Sequence, residues 1–112
     1  MNRVLLVGRV TKPPVFGRAA SGSPYIKFDI EVLETWRDKE GVDKIRREFI
    51  RISQWGKSAE LAQEKVKINH LVSVEGSMMS HSFEDEDGKK QISTEVKADK
   101  IESLERGEHD RK

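Results

Sequence analysis

The stretch 48–57 constrains the fold more than any other, because its residues alternate in the way that a β-strand requires. One face is apolar at Ile50 and Ile52, with Gln54 after them, and predicts a core. The other face carries two aromatic rings with a guanidinium and a hydroxyl between them, namely Phe49, Arg51, Ser53 and Trp55. The pattern predicts a strand with one side in the core and the other available for binding.

An aromatic and cationic strand face suits a single strand of nucleic acid, since bases stack on rings and phosphates pair with cations. The same residues also fit a sandwich strand buried on both faces, with Phe49 and Trp55 in a core. The charge distribution favours the first interpretation. Residues 1–57 contain 12 Lys and Arg against 7 Asp and Glu, whereas residues 58–112 contain 9 against 13, so the positive half of the chain contains the aromatic face.

The composition predicts one domain that gains stability from association. The 112 residues are 35% hydrophobic and 37% charged, which leaves a thin core for a domain of this size. A homo-oligomer would bury more apolar surface. The first strand supports this expectation, because residues 4–7 are apolar on both faces and a barrel interior buries only one of them.

Several classes of function have no support in the sequence. There is no cysteine, and the apolar run at residues 4–7 is too short for a signal peptide or a membrane span. The three histidines, His70, His81 and His109, lack metal-ligand spacing; residues 85–88 do not match a calcium loop; and no glycine-rich phosphate loop is present. We therefore expect a cytoplasmic protein that is not an enzyme and needs no metal or other cofactor.

The predicted elements run strand, strand, strand, helix, strand, strand. A polar hairpin loop at residues 34–44 contains Trp36, which either stacks on a base or folds back onto the barrel rim. The helix is predicted at 58–66, with Ser58 as its cap and an apolar face of Leu61, Ala62 and Val66. Five strands with a helix between the third and fourth predict an all-β fold, a five-stranded OB-fold Greek-key barrel. The predicted domain covers residues 1–104, and residues 105–112 form a disordered charged tail.

Short stretches in a consistent order and with similar gaps carry a resemblance to a known family. They are residues 2–4, 7–9, 21–22, 36–39, 48–51, 55–60, 74–76, 83–85, 87–88, 94–96 and 98–99. On these residues the chain resembles bacterial and organellar single-stranded DNA-binding proteins over roughly residues 2–104.

The resemblance implies an OB-fold, usually a homotetramer, that binds single-stranded DNA without sequence preference. It implies a role in protecting that DNA during replication, recombination and repair. It also implies two sets of binding residues. The stacking aromatics are Trp36, Phe49, Trp55 and Phe83, and the basic positions are Arg3, Arg37, Lys39, Arg51 and Lys57. The strand face predicted from alternation and the site implied by the resemblance therefore coincide at residues 49–55.

Three departures from the family pattern keep alternatives open. Met79 and His81 stand where arginine is usual, Ile50 stands where an interfacial histidine is frequent, and the acidic tail by which bacterial members recruit replication proteins is not seen. Primosomal replication protein N, a dimeric relative that acts in replication restart, is one alternative. A barrel that only binds other proteins, through the same four aromatics, is the other.

Overall fold

One strongly curved sheet closes on itself around the core and is plugged by a short helix. The structure, a computed structural model, describes residues 1–105. Its elements are β1 (Val4–Val10), β2 (Val15–Arg18), β3 (Pro24–Arg37), β4 (Asp43–Trp55), α1 (Lys57–Ala62), β5 (Leu71–Glu84) and β6 (Lys90–Ser103). The predicted tail lies outside the described residues from position 106 onwards.

The strand pairing defines the topology. Five strands close the barrel in the order β1, β5, β6, β4, β3, and β1 then pairs with β3 at Arg9 and Val10. Every pairing is antiparallel except that of β4 with β6, and the short β2 adds to the outer edge of β3. A five-stranded Greek-key barrel with a helix between its third and fourth strands is an OB-fold, as the order of elements predicted.

The core is built by alternation along each barrel strand. On β3, Ile26, Phe28 and Ile30 are buried, and the residues between them face outward. The same inner face continues on the other strands through Val10, Ile52, Val72, Val74, Val96, Ala98 and Ile101. Gln54 follows Ile52 on this face, as predicted, and its amide donates a hydrogen bond to the Asp99 carbonyl at 3.4 Å.

A close backbone approach lets β1 reach both of its neighbours. Gly8 lies where β1 passes from β5 to β3, and a Cβ at this position would lie 2.7 Å from the carbonyl oxygen of Glu31. A larger residue would push β1 away from β3, so the glycine permits the barrel to close.

Three local predictions were wrong. Residues 34–37 and 43–44 are not loop but strand, so β3 and β4 form a long hairpin with a turn at residues 38–42. Their polar side chains are exposed on both faces, which removes the alternation that marks a strand. The helix begins after Gly56 rather than Ser58 and ends at Ala62, with Ala59 and Ala62 buried and Leu61 61% exposed. β2 was not predicted, because it has only four residues.

Two negative findings apply to residues 1–105. No helix in this part of the chain is long and apolar enough to cross a membrane. No three His, Asp or Glu side chains within it are grouped so that they could hold a metal ion.

Candidate nucleic-acid interface

The side of the sheet that faces away from the core on β3, β4, β5 and β6 is called the outer face below. Phe49, Arg51 and Trp55 all lie on it and are exposed, as predicted. The pairing of β3 with β4 sets Trp55 beside Tyr25 and Arg51 beside Asp29. Alternation therefore places the aromatic and cationic side chains in one row along β4.

Ser53 is the exception in that row, because it is fully buried rather than exposed. It pairs across the sheet with Lys27, and the Glu95 carboxylate of β6 lies close to its hydroxyl. That hydroxyl has no partner within ordinary hydrogen-bond geometry among the described residues. The middle of the outer face is consequently covered by neighbouring side chains, and the exposed aromatic and cationic side chains of β4 lie to either side of Ser53.

An aromatic and cationic cluster at the end of β4 was not predicted. The rings of Tyr25 and Trp55 have their centroids 5.1 Å apart and are tilted by 43°. Lys27 Nζ lies 5.7 Å from the Tyr25 centroid and 5.8 Å from that of Trp55, within cation–π range of both. The sequence does contain a signal, since Tyr25 and Lys27 lie on the polar face of the alternating strand β3. The cross-strand pairing that sets them beside Trp55 cannot be read from the sequence.

Arg51 shares its charge with a carboxylate of the same face. Its guanidinium forms an ion pair with Asp29, which also lies 3.8 Å from Lys12 Nζ. The hydrogen bond to Asp29 raises the pKa of Arg51, against a smaller opposing effect of desolvation. Arg51 therefore stays charged, but an approaching phosphate has to share it with Asp29.

A second carboxylate, Glu95 of β6, lies beside His81 of β5. Glu95 is 8% exposed, and its Oε1 lies 3.0 Å from Nε2 of His81, one of the positions that departs from the family pattern. Burial by itself would raise the pKa of Glu95, but the Ser53 hydroxyl, the His81 ring and the charge of Lys27 lower it overall. The region thus carries an ionised carboxylate beneath a partly exposed imidazole.

Phe83 lies farther along the same side of β5. It is two residues beyond His81 on the same side of the strand, and it is 51% exposed. The adjoining turn is fixed by Asp85, whose carboxylate accepts hydrogen bonds from the backbone N–H groups of Asp87 and Lys89. Gln91 also donates to that carboxylate, which lowers the pKa of Asp85. Phe83 therefore lies on the outer face of β5, close to a turn whose conformation these hydrogen bonds fix.

The β3–β4 hairpin beyond the barrel, residues 33–47, is called the distal arm. Trp36 is 48% exposed on it, but alternation sets its ring on the side opposite to Phe49 and Trp55. Arg37 Nε donates to the Asp43 carboxylate at 3.0 Å, and Lys39 lies in the turn that follows. Trp36, Arg37 and Lys39 thus lie near the tip of the distal arm, and the Trp36 ring is separated from the row on β4.

Two of the predicted basic residues lie at the ends of elements. Arg3 precedes β1, next to Asn2, whose side chain donates to the Met78 carbonyl at 2.9 Å and accepts from the Met78 N–H at 2.8 Å. Lys57 opens α1, two residues after Trp55. Arg37 and Arg51 each form an ion pair with a carboxylate. Within residues 1–105, by contrast, no carboxylate lies within 4 Å of the side-chain nitrogens of Arg3, Lys39 or Lys57.

The five-stranded barrel presents aromatic rings and cations on β3 and β4, its second and third barrel strands. This is the architecture of an OB-fold protein of the oligonucleotide-binding type. Residues 1–104 match the family model described as the single-strand binding protein family. The chain belongs to that family.

Known relatives agree with this assignment. Single-stranded DNA-binding protein 2 of Listeria innocua is 35% identical over 109 residues, which are 97% of this chain and 67% of that protein. Single-stranded DNA-binding protein 1 of Clostridium acetobutylicum is 33% identical over 106 residues, 94% of both chains. Several other bacterial relatives are longer, and the chain spans 60–64% of their length.

The fold also matches a solved structure. The Plasmodium falciparum SSB in complex with ssDNA superposes with a TM-score of 0.86, covering 94% of this chain and 96% of that one. The sequence identity is 21%, so this match supports the barrel fold.

Proposed function

We propose that the chain binds single-stranded DNA without sequence specificity and protects it during replication, recombination and repair. The observation that carries the proposal is the outer face, where Phe49 and Trp55 flank Arg51 along one barrel strand. Exposed rings accept any base, because every base has a π-face, and cations accept any phosphate. Phe83 and the distal arm, with Trp36, Arg37 and Lys39, extend the same chemistry, and Arg3 and Lys57 add positive charge.

Intrinsic fluorescence tests this function directly, because the protein has two tryptophans, Trp36 and Trp55. Titration with oligo-dT should quench most of the emission. Trp36→Phe leaves Trp55 as the sole reporter and Trp55→Phe leaves Trp36, so each position can be followed alone. Replacing either with alanine should weaken binding by about 1–3 kcal/mol with the fold intact. If both alanine variants bind as tightly as the wild type, the rings do not stack on bases.

Salt separates this function from a protein-binding barrel. Affinity for oligo-dT should fall as salt increases, with a slope of about −0.7 for each phosphate neutralised. Arg51→Ala should flatten that slope equally for oligonucleotides of different base composition. A flat salt response would instead point to an apolar protein interface formed by the same aromatics.

The proposal includes a homo-oligomer, a dimer of dimers or otherwise a dimer. Leu5 is 68% exposed and Val7 51% exposed on the outward side of β1, where a second subunit would cover them. Within residues 1–105, residues 4–8 pair only with β5, and their other edge has no strand partner. A stable dimer would favour the alternative, a protein like primosomal replication protein N that acts in replication restart.

The proposed role is that of a binding protein rather than an enzyme, acting in the cytoplasm on the nucleoid, with replication proteins as its partners. A fluorescent fusion that spreads through the cell without following DNA would contradict that location.

A further inference from the structure

A pocket of about 320 Å³ lies beside the outer face, at its β2 side. Residues Lys12, Pro13 and Val15, which follow β1, form one wall, and Tyr25, Lys27 and Asp29 of β3 form the other. This volume is at the small end of the range of about 300–1,000 Å³ that is typical of ligand pockets. The pocket therefore has room for one nucleotide and not for a longer stretch of strand.

The Tyr25 ring is held in place from two sides. One side contacts the Trp55 ring, and the hydroxyl end lies over Gly17 of β2. A Cβ at position 17 would lie 2.5 Å from the Tyr25 hydroxyl oxygen, so the ring occupies the space that a side chain there would need. A ring fixed in this way can stack on a base with little further loss of conformational freedom.

Cations around this pocket outnumber the single acid. Lys12, Lys27 and Arg51 all line it, and Asp29 is the one carboxylate among its lining residues. Asp29 has a 19% exposed side chain and is already paired with Arg51 and Lys12. The net positive charge suits a phosphate, while Tyr25, Pro13 and Val15 offer apolar surface to a base.

We infer that this pocket is a subsite for one nucleotide of the bound strand, with its base on Tyr25 and its phosphate held by Lys12 and Lys27. The inference rests on the proposed binding of single-stranded DNA and adds a fifth aromatic to it. A bound strand then crosses from Trp55 over β3 toward β2, instead of ending at β4.

Photo-cross-linking to wild-type protein tests the subsite without any substitution. The probe is an oligo-dT that carries 5-iodo-deoxyuridine. Trypsin releases residues 19–27 as one peptide, in which Tyr25 is the single aromatic residue. Irradiation should give a nucleotide adduct on that peptide. Adducts at Phe49, Trp55 or Phe83 with none on residues 19–27 would overturn the subsite and leave the proposed function standing.

Affinity measurements give a second, independent readout. Tyr25→Ala should weaken oligo-dT binding by about 5- to 150-fold, the range for one stacked base, and Tyr25→Phe should restore most of the loss. Phe16→Ala is the matched control, because Phe16 is an exposed ring on β2 that does not line the pocket and pairs with Ile26 rather than with Tyr25 or Lys27. Thermal denaturation of each variant shows whether the fold is kept.

The lysines are tested through salt dependence. Lys12→Gln should reduce the salt slope of oligo-dT binding by about 0.7, the value for one lost phosphate contact. Lys100→Gln, on β6 opposite Glu75, should leave the slope unchanged.

Two outcomes separate the subsite from the proposed function. The subsite is wrong if Tyr25→Ala and Lys12→Gln both bind oligo-dT like the wild type although Phe49→Ala binds it more weakly. If wild-type protein does not bind oligo-dT at all, the proposed function fails and the subsite with it.

Discussion

Carboxylates placed among the proposed binding residues distinguish this outer face from a simple cationic track. Asp29 pairs with Arg51, and Glu95 lies 3.0 Å from the His81 ring, so neither of these side chains faces solvent alone. Such pairs fix side-chain geometry, and they also compete with phosphate for the same donors. The binding energy of a strand on this face therefore depends more on the rings than a count of Lys and Arg would suggest.

Glu95 gives a prediction about stability and pH. Because folding lowers its pKa, the unfolded chain takes up a proton at Glu95 at higher pH than the folded chain does. The stabilising contribution of Glu95 is complete above the ordinary glutamate pKa of about 4.3, and it is lost as the pH falls from that value through the lower pKa that Glu95 has in the folded chain. We expect the unfolding free energy of Glu95→Gln, measured by urea denaturation, to decrease less than that of the wild type between neutral pH and about pH 3.

A control separates Glu95 from the other acids. Glu75→Gln removes a partly buried carboxyl of β5 that has no ion-pair partner within residues 1–105. This variant should follow the wild type across the same pH range. Equal pH dependence in the wild type and Glu95→Gln would show that the surroundings of Glu95 do not hold it ionised.

At the scale of elements, the barrel strands were predictable and the distal arm was not. β3 has one buried face along Ile26, Phe28 and Ile30, so alternation marks it clearly. Beyond the barrel, both faces of the same strand meet water, and residues 34–44 carry no period from which a strand could be recognised. What holds that part as a hairpin is pairing with β4, which is a tertiary interaction.

The same limit applied to the proposed binding site. Phe49, Arg51 and Trp55 share one strand, so their common face follows from two-residue spacing. Tyr25 lies 30 positions before Trp55 in the sequence, and only the register of β3 against β4 makes them neighbours. The burial of Ser53 has a similar origin, because its cover comes from β3 and β6. Residues within one strand could be predicted together, whereas contacts between strands required the structure.

The ion pairs of the distal arm lead to a prediction on DNA affinity. Arg37 is paired with Asp43, so part of its charge is already neutralised. Asp43→Asn should free Arg37 for a phosphate, which tightens oligo-dT binding at low salt and steepens the salt slope by up to about 0.7. Glu60→Gln is the matched control, since Glu60 pairs with Arg18 at 3.5 Å outside the arm. An unchanged slope for Asp43→Asn would exclude Arg37 as a phosphate contact.

At the scale of the whole molecule, β1 is the element with unused apolar surface. Its inner side, with Leu6 partly buried against the core, belongs to the barrel. Its outer side, with Leu5 and Val7, faces water in the single chain. A small barrel with 35% hydrophobic residues gains considerably by covering such a surface, so association and stability are expected to be linked in this protein.

Substitutions on the two sides of β1 should therefore have different effects. Leu5→Glu should leave the barrel folded and shift the proposed oligomer to a smaller species, because its charge lies only in the interface. Leu6→Glu should destabilise the fold itself by at least about 2 kcal/mol, because it buries a charge against the core.

Ile92→Glu, at a 73% exposed position on β6, is the control that adds the same charge outside β1. Native mass spectrometry at micromolar concentration, with thermal denaturation of each variant, measures both effects. A wild-type protein that stays monomeric would refute the association, and a dimer that never forms a tetramer would place the chain closer to the primosomal relative.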